Sequence, residues 1–356
     1  MASVPLKPFT SVAPGRLCLF GEHQDYLEMP VIALALPLSC RIQVTPTMKS
    51  RMLKLHFQGT TWNLDLDQLP PKQVVHDGDA LDFALAAVHE VVQAGWDIRC
   101  GADCISETDI PLQSGCSSSS AFCVAWVQVL ANLSNVTATL TPIQLAQMAH
   151  RAEVVHFGSP GGTMDHVTSA VGGILRIGPG MWDYMQLDQP REGVWVLADS
   201  GQPKDTLGHL KRCKADRLAI LEKLGGDWDN ASEQNLTSDE IVLLEATRRN
   251  RDMERRAAGE WNTASGHDLG GWMDEHHRAL RDGLLLSTPR IERVREAALQ
   301  SGAWGFKVVG SGGGGCCVAW SSNSTAVQVG RAMEDAGAVK TWILTRAFQG
   351  AHVNYD

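Results

Sequence analysis

No apolar run in this chain of 356 residues approaches the roughly 18–20 residues that a helix needs to cross a bilayer. A membrane-spanning helix is therefore not expected. The opening stretch, MASVPLKPFTSVAPGR, lacks the apolar core and small-residue cleavage site of a secretory signal, so a cytoplasmic location is the expectation. Excess basic charge is also missing. A net charge of −9 is the wrong sign for a dominant nucleic-acid surface, though it leaves room for a local basic pocket that takes phosphate. The nine cysteines show no disulfide-framework spacing and read as reduced thiols. Cys100 and Cys104 lie four apart with no second pair at zinc-site spacing, which favours ordinary packing. No internal repeat, no low-complexity linker and no Gly-Lys-Ser/Thr phosphate loop occurs.

What is present is a chain longer than one hydrophobic core usually supports. Its apolar fraction of 44% and charged fraction of 20% are ordinary for a globular protein. Two domains are expected, 1–190 and 191–356, with a boundary near 180–195. Val31 to Val44 reads as short strands around Pro37, and Leu53 to Leu66 as a strand pair broken at Gly59. Asp79 to Ala94 has helical spacing and a stop at Gly95. Ile98 to Ile105 reads as a strand, and Ser118 to Leu133 as a buried helix. Thr141-Pro142 starts a helix that runs to about His156. Val167 to Ile177 and Val194 to Asp199 read as strands. Helices are expected at Leu207 to Leu224, Ser238 to Ala258, Trp272 to Leu285 and Pro289 to Gln300. A final strand pair flanks the glycine run before Cys316.

Three segments carry the chemistry: APGRLCLFGEHQDY (Ala13 to Tyr26), PLQSGCSSSSA (Pro111 to Ala121) and KVVGSGGGGC (Lys307 to Cys316). The second crowds hydroxyls onto the mouth of a helix, where backbone N–H groups attract phosphate. One hydroxyl is expected to cap the helix and another to reach a phosphate oxygen or Mg²⁺. Taken alone, a polar, serine-rich turn before a helix is the favoured reading. The glycine run weakens a strand and is useful where two backbones, or a backbone and a ligand, touch. A tight hairpin is the other reading.

Glu153 and Asp165 fall on different local elements and are free to converge. One carboxylate would hold Mg²⁺ and the other engage a substrate hydroxyl. Arg16 is a permanent cation that would keep a neighbouring carboxylate ionised and offset charge on a transferring phosphoryl group. Glu22, His23 and Asp25 offer the closely spaced donors and acceptors that a polyhydroxylated substrate needs. His156 and His166 read as structural or exposed. Together these features point to a small-molecule kinase.

The same segments, in this order, resemble the GHMP kinase superfamily of galactokinase, homoserine kinase, mevalonate kinase and phosphomevalonate kinase. GRLCLFGEHQDY is similar to the galactokinase signature, AEVVHFGSPGGTMDH (Ala152 to His166) to its catalytic segment, and HHRALRDGLLLSTPRI (His276 to Ile291) to the approach to its third motif. The resemblance implies an α+β fold of two domains, the first like ribosomal protein S5 domain 2 and the second ferredoxin-like, with the site in the cleft between them. It implies ATP and Mg²⁺ as cofactors and a sugar as acceptor, with no nucleic-acid or membrane partner and the oligomeric state open. Carried over by position, Arg16 and Asp165 form the catalytic pair, and Glu22, His23, Asp25 and Gly162 line the sugar site. Gly115, Cys116, Ser117, Ser118, Ser119 and Ser120 lie along the phosphates, and Ser119 and Glu153 hold the metal. The expected product is a sugar 1-phosphate. Another small acceptor (a uronic acid or mevalonate) and a non-catalytic sugar and ATP sensor are the alternatives.

Overall fold

The computed structural model describes residues 6–71, 80–134, 140–180, 182–203, 206–230 and 234–355. Two long antiparallel strands, β1 (Phe9–Phe20) and β2 (Val31–Thr47), form the spine of the first sheet. β2 is one strand rather than several. Val31–Leu34 pairs with one neighbour and Cys40–Thr47 with another, and exposed Pro37 sits between, where its missing N–H interrupts neither ladder. β3 (Met52–Phe57) and β4 (Thr60–Asp65) form the expected hairpin about Gln58-Gly59. α1 (Ala80–Gln93) follows; Asp79, the expected start of that helix, lies outside the described residues. β5 (Gly101–Thr108) begins three residues later than Ile98, which makes only an isolated bridge to Ser134.

α2 (Ser118–Leu133) lies across β1 and β2 with α1, α3 (Pro142–His150) and α4 (Met164–Val171) around it. Every residue from Ala121 to Val127 is buried, so this helix is apolar all round because it is enclosed all round. α3 opens on a Thr141–Gln144 capping box with Pro142 in its first turn. It runs on through a widened π-helical turn, Arg151–Val155, that carries Glu153.

The strand expected from Val167 to Ile177 is not formed over that span. Residues Met164–Val171 are α4, and only Ile174–Ile177 is strand β6, the chain turning at Gly172 and Gly173 with φ of 78° and 76°. β-branched Val167 and Thr168 favour a strand locally, but packing on α3 and β1 decides for helix. β6 pairs with β2 and with β7 (Tyr184–Leu187).

The second unit contains β8 (Val194–Asp199), α5 (Thr206–Lys223), α6 (Ser238–Glu260), α7 (Gly266–Asp282), α8 (Pro289–Gln300), β9 (Ala303–Val308), β10 (Cys316–Ser321), α9 (Ala326–Asp335) and β11 (Lys340–Leu344). Its sheet runs β11-β8-β10-β9. α7 starts six residues before Trp272, at a Ser265–Asp268 capping box. Its early glycines hide it in the sequence, yet they admit Trp304: a Cβ on Gly270 would lie 2.6 Å from that residue. The last strand, β12 (His352–Tyr355), leaves this unit and pairs with β1, so the first sheet reads β12-β1-β2-β5-β3-β4. The architecture is thus α+β in two domains, and the chain end returns to the first. All nine cysteines are free and buried, and no helix among the described residues is long and apolar enough to cross a membrane.

Candidate active site

One cleft of about 440 Å³ is lined by Arg16, Glu22, His23, Asp25, Gly115, Ser117, Ser118, Ser119, Ser120, Glu153, Gly162 and Asp165. Residues from four separate stretches therefore meet. Cys116 is the exception. Its side chain is buried in the core beside Cys316, and only its carbonyl serves the site, by accepting from the Arg16 N–H at 3.1 Å.

The placement begins in β1. Its register slips between Pro14 and Arg16, and that irregularity sets Arg16 against the loop before α2. Arg16 is nearly buried. Its Nε donates to Asp165 Oδ1 at 2.6 Å, and its Nη1 donates to the Gly115 carbonyl. Burial pushes the Asp165 carboxyl up, but the Arg16 charge, the Ser117 hydroxyl and His166 outweigh it and hold the group below the usual carboxylate range.

The loop ahead of α2 does not use a serine as a cap. Ser117 stands at the cap position with φ of 59° and ψ of 47°, and its side chain makes no capping bond. The first N–H groups of α2 thus keep their positive end open toward the cleft. The glycine-rich loop presses on the same segment: Cys316 N–H donates to the Ser114 carbonyl at 2.6 Å. A Cβ on Gly310 would fall 2.6 Å from Gly115 Cα, so two backbones touch there and only glycine fits. The run also closes the β9–β10 hairpin, so both of its sequence readings hold. Ser311, in that loop, is buried and lines the cleft with a hydroxyl that has no partner among the described residues.

Glu153 pairs with His166 Nε2 at 2.7 Å, and the Ser119 and Ser120 hydroxyls face the same cleft. Burial raises this carboxyl, but His166 and the two serines win and it stays low. His166 is thus the residue that aims Glu153, a role its sequence context did not suggest. His150 packs edge-on to His166 at 5.2 Å, and burial pushes its own imidazole down to about 4. The open helix mouth, the unpartnered Ser311 hydroxyl and the serine–carboxylate pair fit a nucleotide's phosphates and their metal ion. Mg²⁺ commonly takes one or two protein carboxylates and completes its shell with phosphate and water. That suits a site where, among the described residues, no three acidic, histidine or cysteine side chains cluster.

At the other end of the cleft, Asp25 accepts from the Met164 N–H at 3.3 Å, at the start of α4. Gly162 makes this approach possible, since a Cβ there would lie 2.0 Å from Asp25 Oδ2. Gly162→Ala should displace that carboxylate and lower kcat/KM on the order of 100-fold, while the melting temperature stays near wild type; an unimpaired variant would remove Gly162 from the site. Burial, with Asp165 close by, raises the Asp25 carboxyl to about 6. The folded chain then keeps a proton that the unfolded chain has already lost, so stability falls as pH rises from about 4 to about 6. Asp25→Asn should flatten that part of the urea-midpoint profile, and an unchanged slope would exclude Asp25 as its source.

Glu22 lines the cleft, but both its oxygens are engaged. Lys307 Nζ lies 2.5 Å from Oε2, and the Gly310 N–H donates to Oε1 at 2.9 Å. Lys307 was not singled out in the sequence, because a lysine is rarely buried and its partner is 285 positions away. His23 Nδ1 meets the Tyr26 hydroxyl at 2.8 Å, and Arg217 on α5 donates to both the His23 carbonyl and that hydroxyl.

Family models match three stretches of the chain: the GHMP kinase N-terminal domain over 82–173, the GHMP kinase C-terminal domain over 260–339, and the galactokinase galactose-binding signature over 3–46. The chain belongs to the GHMP kinases. Among curated proteins, this GHMP kinase is 29% identical to a galactokinase of Streptomyces coelicolor, over 95% of its own length and 90% of the relative's. It is 24% identical to a mevalonate kinase of Thermococcus sibiricus, with 92% and 93% covered. In fold it is similar to Lactococcus lactis galactokinase complexed with galactose, with a TM-score of 0.85 at 17% identity over 97% and 95% of the two chains. A mevalonate kinase from Methanococcus jannaschii gives 0.73 at 17% identity over 96% and 98%. Within the superfamily, the galactokinase-like branch is the one supported.

Proposed function

We propose that this GHMP kinase transfers the γ-phosphoryl group of MgATP to a monosaccharide, at the anomeric hydroxyl, giving a sugar 1-phosphate. The observation that carries the reading is the Arg16–Asp165 pair, held between the open mouth of α2 and the wall made by His23, Asp25 and Gly162. The match to the galactose-binding signature over 3–46 supports a sugar as acceptor. The mevalonate kinase relatives keep a second acceptor class in view, and the assay below separates the two.

ATP when bound supplies the phosphoryl group, and Mg²⁺ offsets its charge. In this reading Gly115 to Ser120 and the N-terminus of α2 lie along the phosphates, with Ser311 facing them from the second domain. Ser119 and Glu153 hold the metal, and His166 fixes the direction of Glu153. Asp165 orients the acceptor hydroxyl. Because Arg16 holds its carboxyl low, Asp165 is too weak a base to strip an alcohol early. It receives the proton late, as the new oxygen–phosphorus bond makes that hydroxyl acidic. Arg16 stays in place to balance charge at the reacting oxygens.

A coupled ADP-release assay across aldoses, uronic acids and mevalonate tests the reading, with ³¹P NMR to locate the phosphate. Turnover of an aldose or uronic acid to an anomeric phosphate is expected. Turnover of mevalonate alone would overturn the sugar assignment, and ATP binding with no turnover of any acceptor would leave a sensor.

A further inference from the structure

Arg217 stands on α5 in the second domain, yet it is fully buried against the stretch of the first domain that carries Glu22, His23 and Asp25. Its Nε donates to the Cys213 carbonyl at 2.9 Å, within α5. Its Nη2 crosses between the domains, donating to the His23 carbonyl at 2.5 Å and to the Tyr26 hydroxyl. The first of these bonds holds the His23 backbone. That residue has φ of 62°, a left-handed conformation that a side-chain-bearing residue keeps only where its surroundings impose it. Lys214, also on α5, places Nζ 3.4 Å from the Pro160 carbonyl. One helix of the second domain is thus tied to both stretches that wall the acceptor end.

The second bond acts on the His23 ring. The Tyr26 hydroxyl lies 2.8 Å from His23 Nδ1. An arginine carries donors only, so the Tyr26 oxygen accepts from Arg217 and its own proton needs an acceptor elsewhere. Among the described residues, His23 Nδ1 is the acceptor within hydrogen-bond distance. A proton on Nδ1, in the other tautomer or in an imidazolium, would leave the proton of this buried phenol unsatisfied. Nδ1 therefore accepts, and the imidazole proton belongs on Nε2.

We infer that Arg217 is a positioning residue for the acceptor end: through the His23 carbonyl and the Tyr26 hydroxyl it fixes His23 as the tautomer protonated on Nε2. His23 and Asp25 both line the cleft. With Nδ1 committed to Tyr26, the His23 ring has only a donor left to give, whereas an ionised Asp25 only accepts. A fixed donor beside a fixed acceptor selects among sugars, whose hydroxyls differ in where they present protons and lone pairs. Because the bond that sets the donor comes from α5, the pattern is complete only with the second domain seated. This rests on the sugar-kinase reading and adds a determinant of its specificity.

Long-range ¹H–¹⁵N NMR of the histidine rings reads the tautomer in the intact protein, with the His23 signals assigned by their loss in His23→Gln. The wild type should show a protonated Nε2 and a bare Nδ1. Tyr26→Phe removes the hydroxyl and keeps the Arg217 bond to the His23 carbonyl. It should give a mixture of tautomers and raise KM about tenfold for the best sugar in the ADP-release assay, with KM for ATP unchanged. Arg217→Met removes both bonds and should lower kcat/KM for that sugar about 100-fold. Arg217→Lys should recover part of the loss, since an ammonium keeps a donor without the planar fork. Tyr26→Phe keeps the test decisive should the Arg217 variants fail to fold. A wild-type proton on Nδ1, a tautomer unmoved in Tyr26→Phe, or a sugar KM unmoved in that variant would each overturn this inference and leave the sugar-kinase reading standing. No turnover of any sugar would overturn that reading instead, and the NMR measurement would still decide the tautomer.

Discussion

Replacing Asp165 with asparagine should lower turnover by about 10³-fold or more, with ATP affinity close to wild type. The substitution keeps the shape of the side chain and removes the charge that Arg16 holds ionised at 2.6 Å. The amide cannot accept a proton, so the acceptor hydroxyl loses both its orienting charge and its proton sink. In the proposed reading the phosphates lie along other residues, Gly115 to Ser120 and the start of α2, so nucleotide binding should persist. Titration calorimetry with ATP and the ADP-release assay together check this. Turnover within tenfold of wild type would refute the assignment of Asp165.

Arg16 offers the companion measurement. Removing its charge in Arg16→Met leaves burial as the largest influence on Asp165, which pushes that carboxyl upward. The ionised form then exists only at higher pH. The acid limb of the activity profile should move to higher pH, and turnover at neutral pH should fall. A profile of unchanged shape would show that Arg16 does not govern the protonation of Asp165.

The elements that host the chemistry were readable where local signals and tertiary packing agree. Ser118–Leu133 is a helix with the expected bounds, because an all-apolar run after small residues has only a buried helix to form. Thr141-Pro142 cap their helix as their side chains require. The convergence of Arg16, Glu153 and Asp165 followed from residue chemistry and from the resemblance to GHMP kinases. The failures share a cause. Val167 and Thr168 prefer strand, but they pack inside a helix that presents Asp165. Glycines in the first turns of α7 mask a helix whose other side must admit Trp304. β12 is short, and nothing in HVNY announces that it pairs with β1 across nearly the whole chain. Lys307 and Arg217 were missed because their partners are brought together only by the fold. A lysine or arginine in sequence reads as solvated until its burial is known.

Lys307 therefore gives the second large expected effect. Its ammonium is fully buried between Glu22 Oε2 at 2.5 Å and the Cys18 carbonyl at 2.8 Å. Burial, which the substitution leaves in place, is the largest cause that pushes the His276 imidazole well below its usual range, so a charged His276 is not expected to replace the ammonium. Lys307→Met should thus strand the Glu22 carboxylate, 2% exposed, and cost about 3–5 kcal/mol of stability. The double variant Glu22→Gln/Lys307→Met removes both charges and should recover a substantial part of that loss, because an unpaired buried ion costs more than a missing pair. Urea unfolding of the two single variants and the double variant measures it. Single variants within about 1 kcal/mol of wild type would place the pair in the range of a solvent-screened one instead. Glu22 also accepts from the Gly310 N–H, and Gly310 packs directly on Gly115. The double variant should therefore regain stability without regaining full activity, since the glutamine holds the glycine-rich loop against the phosphate loop less firmly than the carboxylate does. A separation of stability from kcat in that variant is the signature of a clasp that joins the two domains at the reacting end of the cleft.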